Sequence, residues 1–255
     1  NDLYMGGTFS TGPVSHGIVK WDGTIWIPVG TGINNPVYAL AVSGTDLYAG
    51  GAFTTAGGVS ANNIARWDGN GWNSLGPGVN ATVRTLAIAG TDIYVGGDFT
   101  TAGVINANKI AKWTGGTWDN LGNGLNGDVR VIATVGKDVY VGGVFTSAGG
   151  VAANYIAMWD GNSWNALGSG VTGSASNHVS IIAASGSDLY VGGSFYLVAD
   201  KYTPNLAVYR SASVLPLQSL KLQSKKQFNG VNLTWKTLRE ENVKLHEVEK
   251  AGKGG

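Results

Sequence analysis

Aspartate is the residue type with which this sequence could do acid–base chemistry, because the first 210 residues contain twelve Asp and no Glu. Glycoside hydrolysis, for example, needs two carboxyl groups that face one bond. Eight of the twelve recur at fixed places, five in Asp-x-Tyr-x-Gly-Gly and three in Trp-Asp-Gly, and recurrent residues are expected to be structural. The other four are scattered: Asp98, Asp119, Asp128 and Asp200. The sequence therefore predicts no catalytic residue.

Metal and cofactor sites are not favoured either. Turns rich in Asp, Asn and Gly offer the oxygen ligands that Ca²⁺ prefers, but hairpin turns use the same residues and no Asp-x-Asp-x-Asp run occurs. A structural calcium ion is thus a lesser alternative, and no cofactor is predicted. The three histidines lie far apart in the chain, and cysteine is absent, which excludes disulfides and thiolate ligands.

The repeated aspartates belong to a long internal repeat. The Asp-x-Tyr-x-Gly-Gly motif begins at Asp2, Asp46, Asp92, Asp138 and Asp188, so successive copies start 44, 46, 46 and 50 residues apart. A fixed period of this size indicates a repeat architecture. The sequence contains no segment with the 3.6-residue period of a helix, so the units are predicted to be all-β.

Each full unit is predicted to contain four antiparallel strands, named a to d. In the unit at 37–76, these are a (37–42), b (47–53), c (63–67) and d (72–76), and 54–62 is predicted to be a loop. Four short antiparallel strands in each unit of ~45 residues are typical of a β-propeller blade. One such sheet cannot bury both of its faces, so the units are predicted to close into a ring.

Five blades are represented, and the first and last are predicted to be incomplete. Unit 1 shows only b, c and d, and unit 5 shows only a, b and c. The chain begins inside a repeat, so upstream sequence is expected. A missing d–a pair from that sequence would complete a five-bladed ring, whereas a longer missing segment would give six or more blades.

The composition changes near residue 211. Residues 1–210 hold nine Lys and Arg against twelve Asp, whereas 211–255 hold eight Lys and Arg against four Glu. Two strands joined by a polar, basic turn and a third strand at 245–249 are predicted there. The domain prediction is therefore a propeller at 1–210 and the N-terminal part of a β-sandwich at 211–255.

Ligand-binding candidates follow from the predicted ring. The residue after each strand-a valine is Tyr38, Arg84, Arg130 or Ser180, and these positions are expected to surround the channel mouth. Unit 5 departs from the repeat with an insertion that ends at His178 and with an altered b–c loop. The candidates are Tyr38, Arg84, Arg130, His178, Tyr196, Asp200, Lys201 and Tyr202. They predict a face that binds a polar, anionic or glycan ligand; in the alternative, Arg84 and Arg130 are solvated surface charges.

The unit Asp-Leu-Tyr-x-Gly-Gly-x-Phe-Thr-Thr-Ala-Gly-Gly, followed by Ile-Ala-x-Trp-Asp-Gly-x-x-Trp, resembles kelch and galactose-oxidase-like propellers and repeats common in large secreted bacterial proteins. The copper chemistry of galactose oxidase does not carry over, because it needs a cysteine-modified tyrosine. The segments Leu215-Pro216-Leu217 and Val231 to Thr237 resemble a fibronectin-III-like module. Such modules often precede the sorting domain of type IX-secreted proteins, which implies an extracellular or outer-surface location.

The predicted function is a secreted or cell-surface, non-enzymatic binding or adhesion module. The alternatives are a secreted carbohydrate-active hydrolase or lyase, and a structural scaffold in an extracellular assembly. A glycan or a surface protein is the expected partner, within a larger chain or assembly. No basic stripe predicts nucleic-acid binding, and no apolar run is long enough to cross a membrane.

Overall fold

The structure is a computed structural model that describes residues 2–10, 16–186, 188–199, 201–210, 213–215, 220–227, 230–237 and 247–248. Every regular element in these ranges is a β-strand, as predicted. Repeated antiparallel sheets, four of which have four strands, make up the repeat region. The fold is therefore all-β and consistent with a propeller-like repeat.

The first two units follow the predicted order of strands. Unit 1 is a three-stranded sheet of β1 (Leu3–Ser10), β2 (His16–Trp21) and β3 (Trp26–Pro28). The four strands of the unit 2 sheet are β4 (Val37–Ser43), β5 (Asp46–Gly51), β8 (Ile64–Trp67) and β9 (Trp72–Ser74). Between β5 and β8, the predicted loop contains a hairpin of β6 (Thr55–Ala56) and β7 (Val59–Ser60).

Units 3 and 4 repeat this arrangement. The unit 3 sheet contains β10 (Val83–Ala89), β11 (Asp92–Gly97), β14 (Ile110–Trp113) and β15 (Trp118–Asn120), with the hairpin β12 (Thr101–Ala102) and β13 (Ile105–Asn106). The unit 4 sheet contains β16 (Val129–Val135), β17 (Asp138–Gly143), β20 (Ile156–Trp159) and β21 (Trp164–Ala166), with the hairpin β18 (Ser147–Ala148) and β19 (Val151–Ala152).

Unit 5 has a fourth strand that the sequence did not predict. Its sheet contains β23 (His178–Ser185), β24 (Asp188–Ser194), β27 (Leu206–Arg210) and β28 (Ser213–Leu215). Strand β28 pairs with β27 through Tyr209 and Val214, although no Trp-x-x-Leu-Gly motif marks it. A second sheet joins β22 (Val171–Thr172) to the hairpin of β25 (Leu197–Val198) and β26 (Lys201–Tyr202).

Beyond unit 5, a separate antiparallel sheet follows in the order β29 (Leu220–Gln227), β30 (Gly230–Thr237) and β31 (Glu247–Val248). Its first two strands correspond to the two that the sequence predicted. The third was predicted at 245–249, and the described part of it is Glu247–Val248.

The double glycine of strand b makes room for two different neighbours. A Cβ on Gly96 would overlap Cγ1 of Val129, the first strand-a residue of the next unit. A Cβ on Gly97 would overlap the carbonyl oxygen of Thr82, which precedes strand a of its own unit. The first glycine therefore lets the adjacent sheet approach closely, and the second lets the start of strand a in its own sheet approach closely. Both contacts recur in units 2 and 4.

Aromatic residues connect each unit to the next. Tyr48 of unit 2 packs in the apolar cluster of unit 3, and Tyr94 of unit 3 packs in that of unit 4. The strand-d tryptophan donates its indole N–H to a carbonyl of the preceding unit: Trp72 to Val29 (3.1 Å), Trp118 to Leu75 (2.9 Å) and Trp164 to Leu121 (2.8 Å). These buried hydrogen bonds fix the distance between neighbouring sheets.

Candidate functional site

Three of the predicted binding residues, Tyr38, Arg84 and Arg130, lie at a β-bulge that recurs in four units. The pairing of strands a and b shifts after the first valine, between Val37 and Ala39 in unit 2 and at the equivalent place in units 3 to 5. The extra residues are Tyr38, Arg84, Arg130 and Ser180, and all four are exposed. A bulge leaves its extra residue outside the ladder and redirects the side chain, so the repeat presents four equivalent exposed positions.

The a strands of successive units pack beside one another: β4 contacts β10, β10 contacts β16, and β16 contacts β23. Side-chain hydrogen bonds join β10 and β16. The backbone N–H of Ile132 donates to Oγ1 of Thr85 (3.1 Å), and Oγ1 of Thr134 donates to the carbonyl of Ile88 (2.9 Å). The bulges of adjacent units are therefore neighbours along one edge, here called the bulge rim (Tyr38, Arg84, Arg130 and Ser180).

Arg84 is neutralised by a residue of its own unit. Its Nε and Nη2 donate to the two carboxylate oxygens of Asp98, and the second of these bonds is 2.7 Å long. The hydrogen bond that Arg84 donates to Asp98 raises the pKa of Arg84, while partial burial lowers it and the charges of Asp98, Asp128 and Tyr38 raise it by smaller amounts. Arg84 is thus a fixed cation with a bidentate partner.

Lys109 extends this network into unit 4. Its Nζ lies 2.9 Å from Oδ1 of Asp128, which precedes strand a of unit 4, and donates to the carbonyl of Asp98 at 2.9 Å. Two aspartates that sequence reasoning set aside as scattered therefore meet at the bulge rim. The signal that could have found them is their departure from the repeat, since Ala52 and Pro36 stand at the equivalent places of unit 2.

Lys109 has a left-handed backbone, with φ at 67°. The same position is left-handed in every unit and is occupied by Gly17, Asn63, Tyr155 and Asn205 in the others. This conformation costs a residue with a Cβ about 1–2 kcal/mol. Two hydrogen bonds hold it, because the N–H of Lys109 donates to Phe99 (2.8 Å) and its carbonyl accepts from Gly97 (3.0 Å). The repeat geometry therefore fixes the direction in which the Lys109 side chain leaves the backbone.

Arg130 differs from Arg84 in having no partner in the part of the chain that the structure describes. It is exposed on the bulge of unit 4, and within the described residues its guanidinium makes no hydrogen bond or ion pair. A guanidinium offers five N–H donors in a planar fork that matches carboxylate and sulfate groups. At the bulge rim, Arg130 is thus the cation whose donors are available to a ligand.

The unit 5 candidates form a second group. His178 begins β23 at the place of Asp128, and its Nδ1 lies 3.0 Å from the carbonyl of Ser176. Tyr196 immediately precedes the β25–β26 hairpin, on which Lys201 and Tyr202 lie, and all three are exposed. Asp200 lies outside the described residues. Within the described part of the chain, no hydrogen bond or ion pair joins this group to Arg84 or Arg130.

The aspartates of the Trp-Asp-Gly turns accept hydrogen bonds from the backbone of their own turns, which is a structural role of the kind expected for recurrent residues. Oδ1 of Asp68 accepts from the N–H groups of Asn70 and Gly71, both at 2.9 Å. Asp160 accepts equivalent bonds from Asn162 and Ser163, both at 2.8 Å. These backbone donors, chiefly that of Ser163, lower the pKa of Asp160 well below 3.8. The carboxylates of these turn aspartates thus already accept hydrogen bonds within their own turns. Among the described residues, no group of three acidic or histidine side chains is placed to hold a metal ion.

We expect the Asp160 turn to contribute stability that depends on pH. Its folded pKa is lowered, so the contribution is present above the unfolded value and is lost as the pH falls below roughly 4. A ¹³C NMR titration of the Asp160 carboxyl group should give a midpoint below 3.8. Asp160→Asn keeps an acceptor oxygen but cannot titrate, and it should weaken the pH dependence of the unfolding free energy in acid. A midpoint at or above 3.8 would contradict this assignment.

Comparisons with known proteins found similar chains among solved structures. No family model and no curated protein matches the chain. One similar solved structure is the computationally designed Ika4 protein, at 16% identity and a TM-score of 0.47, covering 71% of this chain and 95% of that one. Another is the computationally designed Ika8 protein, at 15% identity and a TM-score of 0.46, covering 86% and 74%. In the described residues, no helix is long and apolar enough to span a membrane.

Proposed function

We propose that this protein is a secreted or cell-surface binding module whose bulge rim recognises an anionic glycan. The observation that carries the proposal is that the guanidinium of Arg130 has no partner among the described residues, beside an arginine that Asp98 already neutralises. An exposed cation without an internal role is free to pair with a carboxylate or sulfate group. Tyr38 adds an exposed aromatic ring at the equivalent position of unit 2.

We further propose that the units close into a kelch-like propeller ring and that the tail sheet begins a fibronectin-III-like module. The repeated joint between units supports closure, since each sheet presents the next with the same glycine, valine and tyrosine contacts. A ring would place the bulge residues around one mouth. The resemblance of the repeat and the tail to type IX-secreted surface proteins supports an extracellular location and membership of a larger assembly.

Removal of the free guanidinium should weaken binding selectively. We expect Arg130→Ala to reduce affinity for a sulfated oligosaccharide by about 10-fold to 100-fold, because a hydrogen bond to a charged group contributes about 1.5–3 kcal/mol. Isothermal titration of the full chain with heparin-derived oligosaccharides would measure this loss. A neutral oligosaccharide of the same length tests whether the ligand charge is required.

Lys137→Ala is the matched control, because Lys137 is an exposed cation of the same unit, lies in the turn after the other end of strand a, and has no partner among the described residues. It should leave the affinity unchanged, whereas Arg130→Lys should keep part of it. If Arg130→Ala and Lys137→Ala reduced the affinity equally, the ligand would be attracted by the overall positive charge and not by a specific contact with Arg130. The absence of any binding by the unmodified chain would favour the scaffold alternative.

A further inference from the structure

The outer edge of units 3 and 4 contains a cleft of about 460 Å³. Unit 3 supplies most of its lining from strands c and d, with Lys112 on β14 and Trp118, Asp119 and Asn120 on β15. Unit 4 supplies Trp159 from the end of β20. Clefts of a few hundred Å³ with aromatic walls and a few polar groups are the usual form of small-ligand sites.

This cleft is separate from the bulge rim. In the unit 3 sheet, strand β10 carries Arg84 at one edge and β15 carries Asp119 at the other, with two strands between them. Three strand spacings of about 4.8 Å place these edges roughly 14 Å apart. A ligand in the cleft would therefore be held by different residues from those proposed above.

Unit 3 differs from its neighbours in where it carries a carboxylate. In units 2 and 4, the turn aspartate is bonded by a strand-d asparagine: Asn73 donates to Asp68 at 2.8 Å and Asn165 donates to Asp160 at 3.0 Å. In unit 3, the turn begins with Thr114, and the carboxylate stands on strand d as Asp119. The side chain of Asp119 is half exposed, and among the described residues no backbone N–H donates to its carboxylate.

Lys112 faces Asp119 across the strand c–d pair. Its Nζ lies 3.6 Å from Asp119 and 3.4 Å from Asp92, whereas the equivalent residue of unit 4 is Met158. One ammonium group between two carboxylates leaves no excess positive charge. The cleft is therefore unsuited to an anion, and it offers both hydrogen-bond donors and acceptors.

The tryptophans supply flat apolar walls. Trp118 is held by its indole bond to Leu75, and its ring packs at 58° to that of Trp113. Trp159 is half buried, and its indole N–H has no partner among the described residues. Asn120 adds an exposed amide whose only hydrogen bond in the described part of the chain is a long one, 3.5 Å to the carbonyl of Asn106.

From this combination we infer a binding site for a neutral carbohydrate between units 3 and 4. The C–H face of a pyranose ring is flat and apolar and suits an indole wall. Each sugar hydroxyl both donates and accepts hydrogen bonds, so it can pair with Asp119, Lys112 and the Asn120 amide together. The site would add a neutral-sugar contact to the anionic contact proposed for the bulge rim, and it does not depend on the latter.

The test is a ¹H–¹⁵N NMR titration of the full chain with uncharged methyl glycosides of glucose, galactose, mannose and N-acetylglucosamine. We expect at least one of them to shift the indole N–H signals of Trp118 and Trp159, with a dissociation constant on the order of 1 mM. If no glycoside shifts either indole, or if the shifts fall on other tryptophans, the inference is wrong.

Two variants install residues that other units carry. Asp119→Asn reproduces Asn73 and Asn165, and Lys112→Met reproduces Met158, so both substitutions suit the repeat. Each should reduce glycoside affinity by at least about tenfold. Arg130→Ala should leave it unchanged, while Asp119→Asn should leave sulfated-oligosaccharide binding unchanged, which separates this site from the bulge rim. Glycoside affinity that survives both cleft substitutions would overturn the assignment.

Discussion

Replacing Gly97 by alanine is expected to lower the free energy of unfolding by about 3 kcal/mol or more, at or above the upper end of the usual cost of overpacking. The added methyl group would overlap the carbonyl oxygen of Thr82 and would also lie 3.1 Å from Cα of Val83. Both are backbone atoms at the start of strand a, so no side-chain rotation can relieve the overlap. Urea denaturation followed by tryptophan fluorescence would measure the loss.

Gly71→Ala is the matched control, because a Cβ at Gly71 would meet nothing within 4 Å. It should change the unfolding free energy by no more than about 0.5 kcal/mol. If Gly97→Ala proved as mild as Gly71→Ala, the double glycine would not be needed for close approach, and another reason for its recurrence would be required.

The second large effect is expected at the joint between units 3 and 4. Trp164→Ala should destabilise the protein by about 3–5 kcal/mol, the usual cost of truncating a buried tryptophan. Trp164→Phe keeps most of the apolar area but removes the 2.8 Å hydrogen bond to Leu121, so it should cost about 1–3 kcal/mol. The same denaturation measurement applies to both variants.

Trp26→Phe provides the comparison. Trp26 opens strand d of unit 1, is 38% exposed, and makes no indole hydrogen bond among the described residues. Its replacement should cost no more than about 0.5 kcal/mol. Equal losses at Trp26 and Trp164 would indicate that the Trp–Trp pair within a sheet, and not the bond between units, determines stability.

Much of the fold could be predicted because the same strand pattern occurs, in whole or in part, five times in the sequence. The valine of strand a, the double glycine of strand b and the paired tryptophans of strands c and d fix the order of strands. Strand β28 was missed because Val214 stands where the other units carry tryptophan. The b–c hairpins were missed because two-residue strands such as Thr55–Ala56 are too short to show alternation.

The candidate site was predicted less completely. Spacing from the strand-a valine identified Arg84 and Arg130 as equivalent residues, but it could not reveal the bulge, because register depends on how two backbones pair. The partners of Arg84 and Lys109 are distant in sequence and absent from the repeat consensus. The outer cleft was not predicted either, because Asp119 is absent from the repeat consensus and was one of the four aspartates treated as scattered.

The contacts of glycine, valine and tyrosine recur at each boundary inside the repeat, and the tryptophan hydrogen bond joins them at every boundary except that between units 4 and 5. The shared part of the joint therefore contains no information about the position of a unit in the series. A gene that gained or lost one whole period would encode a protein with every surviving joint intact. Copy number is therefore free to change by in-frame recombination, and new specificity can arise by altering the exposed residues of a single copy.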